Sequence, residues 1–283
     1  RSADRASSTT SDATSGGVIT LAGGLDDGGV ASGSASLIAG LVAGDGRPDG
    51  YAVNYGGTSI QYGIMLGTEA VNTAQNANIK VYSGGGDIRM QGMITTVVGG
   101  GGNGPTGLIA YQGINVDAGL QGNLRLLGTA NASTQYPVGI DLQAWRGTAG
   151  VTSTLRTQNG DIQIVGRSTG ATSSGVGLSM LAQDDTRRMV IAATGTGSVT
   201  IDGKAVGTSP TDLSMSFVDV LSASGAIHLT GENTGLLFGT WPSGSTNFIG
   251  SKTGGLVTSS SANIYFVGNK LDFNAPVTVK TTV

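Results

Sequence analysis

Gly160-Asp161-Ile162-Gln163-Ile164-Val165-Gly166, the heptapeptide GDIQIVG, decides how this chain folds. Side chains alternate across a strand, so Ile162 and Ile164 share one face and Gln163 takes the other. The bounding glycines allow sharp turns or close backbone approach, which a Cβ would obstruct. The same grammar, Gly-x-apolar-x-apolar-x-Gly, recurs as GVITLAG (17–23), GDIRMQG (86–92), GNLRLLG (122–128), GSVTIDG (197–203) and GAIHLTG (225–231). A further copy, ANIYFVG (262–268), carries Ala in place of the first Gly.

Successive copies start 69, 36, 38, 37, 28 and 37 residues apart, which sets a repeat of roughly 37 residues. The 69-residue gap is expected to hide one degenerate copy, near GYAVNYGG (50–57) or SIQYGIMLG (59–67). A second short strand follows each heptapeptide, as in GIMLG (63–67), GLIAYQG (107–113), GIDLQA (139–144), GVGLSM (175–180) and GLLFG (235–239). A third precedes the next heptapeptide, as in NIKVYS (78–83), GINVDA (113–118), STLRT (153–157) and RMVIAA (188–193).

Three short strands joined by Gly, Ser, Asn and Asp corners, repeated in register, describe one coil of a three-sided solenoid whose equivalent strands stack in parallel. The fold class is therefore all-β, a right-handed parallel β-helix; 37 residues fit one coil with a long loop or two tight coils of about 18, and the loop pattern favours one. Its inward-facing core is expected from Ile19 and Leu21, Ile88 and Met90, Leu124 and Leu126, Ile162 and Ile164, Val199 and Ile201, Ile227 and Leu229, and Ile264 and Phe266. Arg89, Arg125, Gln163, Thr200 and His228 face outward. Asp87, Asn123 and Asp161 share one repeat position, and side chains about 4.8 Å apart there can form a hydrogen-bonded ladder. The stretches VVGGGGNGPTG (97–107) and RSTGATSSG (167–175) fall at one place in the unit and vary in length, as loops on one side of a solenoid do.

Composition agrees. Of 283 residues 50 are Gly and none Cys, and only 12% are charged against a usual share of about 25%. Glu is confined to Glu69 and Glu232, so helix-favouring straight-chain residues are scarce, while 38% apolar content at a net charge of -3 still provides a core. Without Cys there is no disulfide framework or thiolate metal site, and a single histidine, His228, leaves little for metal ligation or His-dependent triads. No cofactor or metal is expected. The 15 basic residues are scattered at a pI near 5, which argues against nucleic acid. No apolar run approaches the roughly 20 residues of a membrane span.

The grammar G-[DN]-I-x-I-x-G, then a loop, then G-I-x-L, then a third short strand, resembles the repeat arrays of filamentous-haemagglutinin-like exoproteins of two-partner secretion systems. The resemblance runs from about Gly17 to Gly268. It implies a secreted, non-catalytic rod at the cell surface that serves in attachment or aggregation, with a host or neighbouring-cell surface or glycan as partner. The family's N-terminal secretion module and its Asn-Pro signature are not in this sequence.

Right-handed β-helices also carry polysaccharide-cleaving sites built on paired carboxylates with cations. The nearest candidates are Asp184, Asp185, Arg187 and Arg188 of DDTRR, with Asp26 and Asp27 as a second acidic pair. Neighbouring strand residues point to opposite faces and a charged loop is usually just solvated, so catalysis is not expected. His228 reads as a surface residue. LAGGLDDGG (21–29) is similar to a single calcium-binding nonapeptide but lacks the tandem copies such a site stacks. Trp145, Trp241, Tyr136 and Tyr265 are candidate surface contacts for a sugar face, with both tryptophans in Gly-rich loops.

Residues 1–16 are polar and unpatterned and read as a linker or extension, leaving 17–283 as one repeat domain. With no initiator Met, the chain reads as a processed or excised piece, any export signal lying outside it. KLDFNAPVTVKTTV (270–283) alternates well and should form strands. An uncapped final coil offers backbone donors and acceptors to another chain, which makes end-to-end self-association, and so a filament or sheath protomer, a second reading. A trimeric phage tailspike or fibre that binds or cleaves polysaccharide is a third.

Overall fold

A computed structural model describes residues 17–23, 62–67, 79–94, 104–111, 113–131, 136–144, 151–171, 174–239, 247–250 and 263–281. The polar stretch 1–16 lies outside them. The described residues form strands and turns, with no helix.

The strands run in sets of three. The first coil holds β1 (Ile19–Gly23), β2 (Tyr62–Leu66) and β3 (Lys80–Tyr82), and the second holds β4 (Ile88–Ile94), β5 (Thr106–Tyr111) and β6 (Asn115–Asp117). The third comprises β7 (Leu124–Ala130), β8 (Val138–Gln143) and β9 (Ser153–Thr157); the fourth, β10 (Ile162–Ser168), β11 (Val176–Leu181) and β12 (Met189–Ala193). In the fifth lie β13 (Val199–Ala205), β14 (Thr211–Ser216) and β15 (Val218–Ser222), and in the sixth β16 (Ile227–Gly231), β17 (Leu236–Phe238) and β18 (Asn247–Gly250). The seventh has β19 (Ile264–Gly268), β20 (Leu271–Phe273) and β21 (Val277–Lys280).

Each set contributes one strand to each of three seven-stranded sheets, and every pairing is parallel. This is a three-sided right-handed parallel β-helix with one coil per repeat. The heptapeptides make the first sheet. Leu124 lies in register with Ile88 and Ile162, Ile162 with Val199, Val199 with Ile227, and Ile227 with Ile264. The expected inward pairs from Ile88 to Leu229 are buried; Ile19, Leu21, Ile264 and Phe266, at the two ends, are partly buried against the same core.

The hidden copy expected in the 69-residue gap is corrected by the pairing. Strand β1 bonds directly to β4, Ile19 to Ile88 and Leu21 to Met90, so no coil lies between them. The apolar run GIML of SIQYGIMLG is β2 of the second sheet, with Ile64 opposite Leu108. GYAVNYGG lies outside the described residues. Its length goes instead into the connection from first to second sheet, which spans 24–61 in the first coil, 206–210 in the fifth and 269–270 in the last.

Glycine is required where the first sheet meets the second. A Cβ on Gly166 of β10 would stand 2.1 Å from the Gly177 carbonyl oxygen, and one on Gly177 would stand 2.4 Å from the Lys204 amide nitrogen. The second-sheet column runs Gly63, Gly107, Gly139, Gly177 and then Asp212. Asp212 fits because the neighbouring strand β16 stops at Gly231, whereas β13 continues to Ala205. The fully buried Asp212 carboxylate fills the space, accepting from the amides of Ala205 (2.8 Å), Asn233 (2.6 Å), Thr234 and Gly235 (2.9 Å). Asn233 in turn donates through Nδ2 to the Ala205 carbonyl, 2.6 Å away. Two side chains thus replace the backbone partners that a longer β16 would have offered Ala205.

Candidate functional site

The DDTRR corner sits between β11 and β12. Asp184 Oδ1 accepts from the Thr186 hydroxyl (2.7 Å) and amide (2.9 Å), an Asx turn, and Arg187 pairs with the same carboxylate at 3.0 Å. The Thr186 hydroxyl, with the Thr186 amide and Arg187 charge behind it, holds the Asp184 carboxyl below the ordinary aspartate value. Arg188 turns the other way. It pairs with Asp185 at 2.7 Å and grips Asp219 of the next coil with two nitrogens, its Nε standing 3.2 Å from Oδ2. Asp219 is buried, and the guanidinium carbon lies 5.9 Å from the centre of the Phe217 ring.

Asp184 and Asp185 are exposed, as a solvated loop cluster would be, and Arg188 is the member that departs from that expectation. Arg188 bolts coil four to coil five next to a strained corner. Phe217 occupies the left-handed region at φ 53°, which costs on the order of 1–3 kcal/mol for a non-glycine residue. From the sixth coil, buried Asn247 accepts from the Val218 amide (3.0 Å) and donates to the Met215 carbonyl (3.3 Å), completing the corner. Glycoside hydrolysis by two carboxyls uses one as an acid with a raised pKa. Asp184 is moved the opposite way, and Asp185 and Asp219 share one arginine.

A second charged group escaped the sequence reading. Arg167 pairs with Asp202 and, at 3.0 Å, with Glu232, while Lys204 reaches the other Glu232 oxygen at 2.6 Å. These residues come from three successive coils of the first sheet. Burial pushes the Asp202 carboxyl above its usual value, Arg167 opposes the shift, and the neighbouring Glu232 charge adds to it. Two acids and two bases neutralise each other, so the group works as a tie across coils.

The expected ladder is present. Asp87 Oδ1 accepts from the amide (2.9 Å) and Nδ2 (3.0 Å) of Asn123, Asn123 Oδ1 accepts from the Asp161 amide (2.9 Å), and Asp161 Oδ1 from the Ser198 amide (2.8 Å). Arg89 pairs with Asp87 at 2.9 Å. Burial raises the Asp87 pKa, but the bonds from Asn123 and Arg89 outweigh it and the carboxyl ends below its ordinary value. Buried hydroxyls at the third corner are also satisfied, Thr157 donating to the Gly122 carbonyl (2.7 Å) and Ser222 to that of Gly197 (2.9 Å).

His228 lies on the outer face of β16 in register with Tyr265, and the two rings stack at 4.4 Å. Tyr136 is exposed ahead of β8. Trp145, Trp241, Asp26 and Asp27 lie outside the described residues. Pro210, Thr234, Gly235, Lys270 and Asp272 border a shallow groove of about 180 Å³ on the second sheet, where Lys270 pairs with Asp272 at 2.8 Å. Among the described residues no three His, Asp or Glu side chains gather as a metal site, and no helix is long and apolar enough to cross a membrane.

No family model, curated protein or solved structure matches this chain.

Proposed function

We propose that the chain is the rod of an extracellular surface adhesin, a non-catalytic scaffold that holds binding loops away from the cell. One observation carries this reading: the two largest described charged groups tie coil to coil, Arg188 with Asp219 and Arg167 with Asp202 and Glu232. The loops between first and second sheet, set on a stiff stack, are the places for contact with a cell surface or glycan. The resemblance to filamentous-haemagglutinin-like repeats supports the same assignment.

The test pairs two assays on the purified chain, retention on cells and immobilised glycans, and release of reducing ends from soluble polysaccharides. Saturable retention without cleavage is the expected result. Polysaccharide cleavage that disappears in Asp202→Asn or Asp184→Asn would replace the adhesin with a tailspike-like enzyme.

A further inference from the structure

From the second coil to the seventh, the outward column of the first sheet runs Arg89, Arg125, Gln163, Thr200, His228 and Tyr265, one residue per coil and in register throughout. It contains neither an aliphatic side chain nor a carboxylate, and every member is partly or fully exposed. The other two sheets mix both kinds into their outward columns: Met65, Asp141 and Leu237 on the second, Val190, Asp219 and Phe248 on the third. At the strand spacing of a parallel sheet the first-sheet column is a polar strip about 24 Å long.

Two features of the strip call for an anion. Arg89 and Arg125 stand directly opposite each other on neighbouring strands, a like-charge pairing that destabilises a sheet. Arg89 is answered by Asp87 at 2.9 Å. Arg125, partly buried, forms no ion pair and no side-chain hydrogen bond among the described residues. The carboxylates of the flanking ladder are engaged elsewhere, Asp87 with Arg89 and Asn123, and Asp161 with the Ser198 amide. The Arg125 guanidinium, a rigid fork of donors, is thus left without a protein acceptor beside the Gln163 amide and a second guanidinium.

From this we infer that the outer face of the first sheet binds a carboxylated polysaccharide laid along the coil axis, with Arg125 as the carboxylate anchor. The guanidinium fork takes a planar carboxylate through two parallel hydrogen bonds, which a neutral sugar cannot offer. Beyond it the Gln163 amide, the Thr200 hydroxyl and the stacked His228 and Tyr265 rings, 4.4 Å apart, supply donors, acceptors and aromatic surface for sugar hydroxyls and ring faces. A nucleic acid would need a run of cations, and the column has two. An extended peptide takes a free sheet edge or an apolar groove, and this strip is a polar sheet face. The inference rests on the adhesin reading for a glycan as partner, and adds the face and the charge class.

Retention of the full chain on immobilised polygalacturonate, dextran and polyglutamate tests it. The expected result is saturable, salt-sensitive retention on polygalacturonate and little on the other two. Arg125→Gln should weaken it by about 10- to 100-fold, and Gln163→Glu, which sets a carboxylate beside Arg125, by at least as much. Both side chains face outward, so the variants keep their fold, checked by an unchanged β-type circular dichroism spectrum. Arg156→Gln, which removes an exposed arginine from the third sheet, should leave retention unchanged. No retention on polygalacturonate, equal retention on dextran or polyglutamate, retention that survives Arg125→Gln, or equal losses in Arg125→Gln and Arg156→Gln would each overturn the inference. The adhesin reading is judged separately, by retention of the parent chain on cells.

Discussion

Replacing Asp212 by Ala removes the common acceptor of four backbone amides at the point where the second-sheet glycine column is interrupted. The bonds to Ala205 and Gly235 are buried, while those to Asn233 and Thr234 lie where water can take over part of the lost bonding. A buried donor left without an acceptor costs roughly 1–3 kcal/mol, so the two buried amides set an expected loss of about 4 kcal/mol. Asp212→Asn keeps the shape and one acceptor oxygen, which can serve Asn233, Thr234 and Gly235, but turns an NH2 toward the Ala205 amide. Its expected loss is about 2 kcal/mol. A seven-coil stack need not unfold in one step, so the local quantity is read by amide hydrogen exchange alongside urea denaturation. Exchange at Ala205 and Gly235 should accelerate by about 10³-fold in Asp212→Ala, as 1.4 kcal/mol per decade requires. An Asp212→Ala protein destabilised by less than about 1 kcal/mol, with unchanged exchange at those amides, would refute the account of this corner.

Breaking the buried pair with Asp219→Ala leaves the Arg188 charge partly buried with Asp185 as its remaining carboxylate, and should cost about 3–5 kcal/mol in urea denaturation; the double change Arg188→Met, Asp219→Leu should recover most of it. Gly166→Ala sets a methyl against the Gly177 carbonyl oxygen and is expected to lower stability by about 3 kcal/mol or more, whereas Gly170→Ala, in the following loop, should change it little. For Asp87 the folded pKa lies below the unfolded one, so its contribution is present above the ordinary aspartate value and lost as pH falls through the folded value. The stability difference between the parent chain and Asp87→Asn should therefore shrink as pH falls below the ordinary aspartate value of about 3.9. At Asp202, whose folded pKa is raised, the sign reverses, and the corresponding Asp202→Asn difference shifts toward favouring the parent chain as pH falls through that raised value.

The first sheet was legible because one backbone requirement forces the same residues in every coil. The inward pair and the glycine five places into each first-sheet strand, as at Ile162, Ile164 and Gly166, follow from packing and close approach, and neither depends on the loops. Legibility fell where the requirement lapsed. Strand β14 (TDLSMS) lacks the second-sheet signature because Asp212 stands where that signature has Gly, β15 (VDVLS) follows it after a single residue, and β18 (NFIG) offers only four residues. A hidden copy is expected in the first gap because 69 residues is close to two repeat lengths, and length alone does not say whether the extra residues form a coil or a connection. Cross-coil pairs such as Arg188 with Asp219, 31 residues apart, and Arg167 with Asp202, 35 apart, belong to no local motif. A search for opposite charges separated by one coil length would have found both.

The uniform register has a genetic corollary. Removing residues 124–161 would bring Ile162 onto Ile88, Leu178 onto Leu108 and Ile191 onto Val116, inward position upon inward position in all three sheets. Asn123 would then follow Asp87 and precede Ser198 at the ladder corner, so even that polar column closes over the gap. Unequal crossing-over between heptapeptide-coding segments would therefore give chains that differ by whole coils, changing the length of the solenoid in steps of about 4.8 Å.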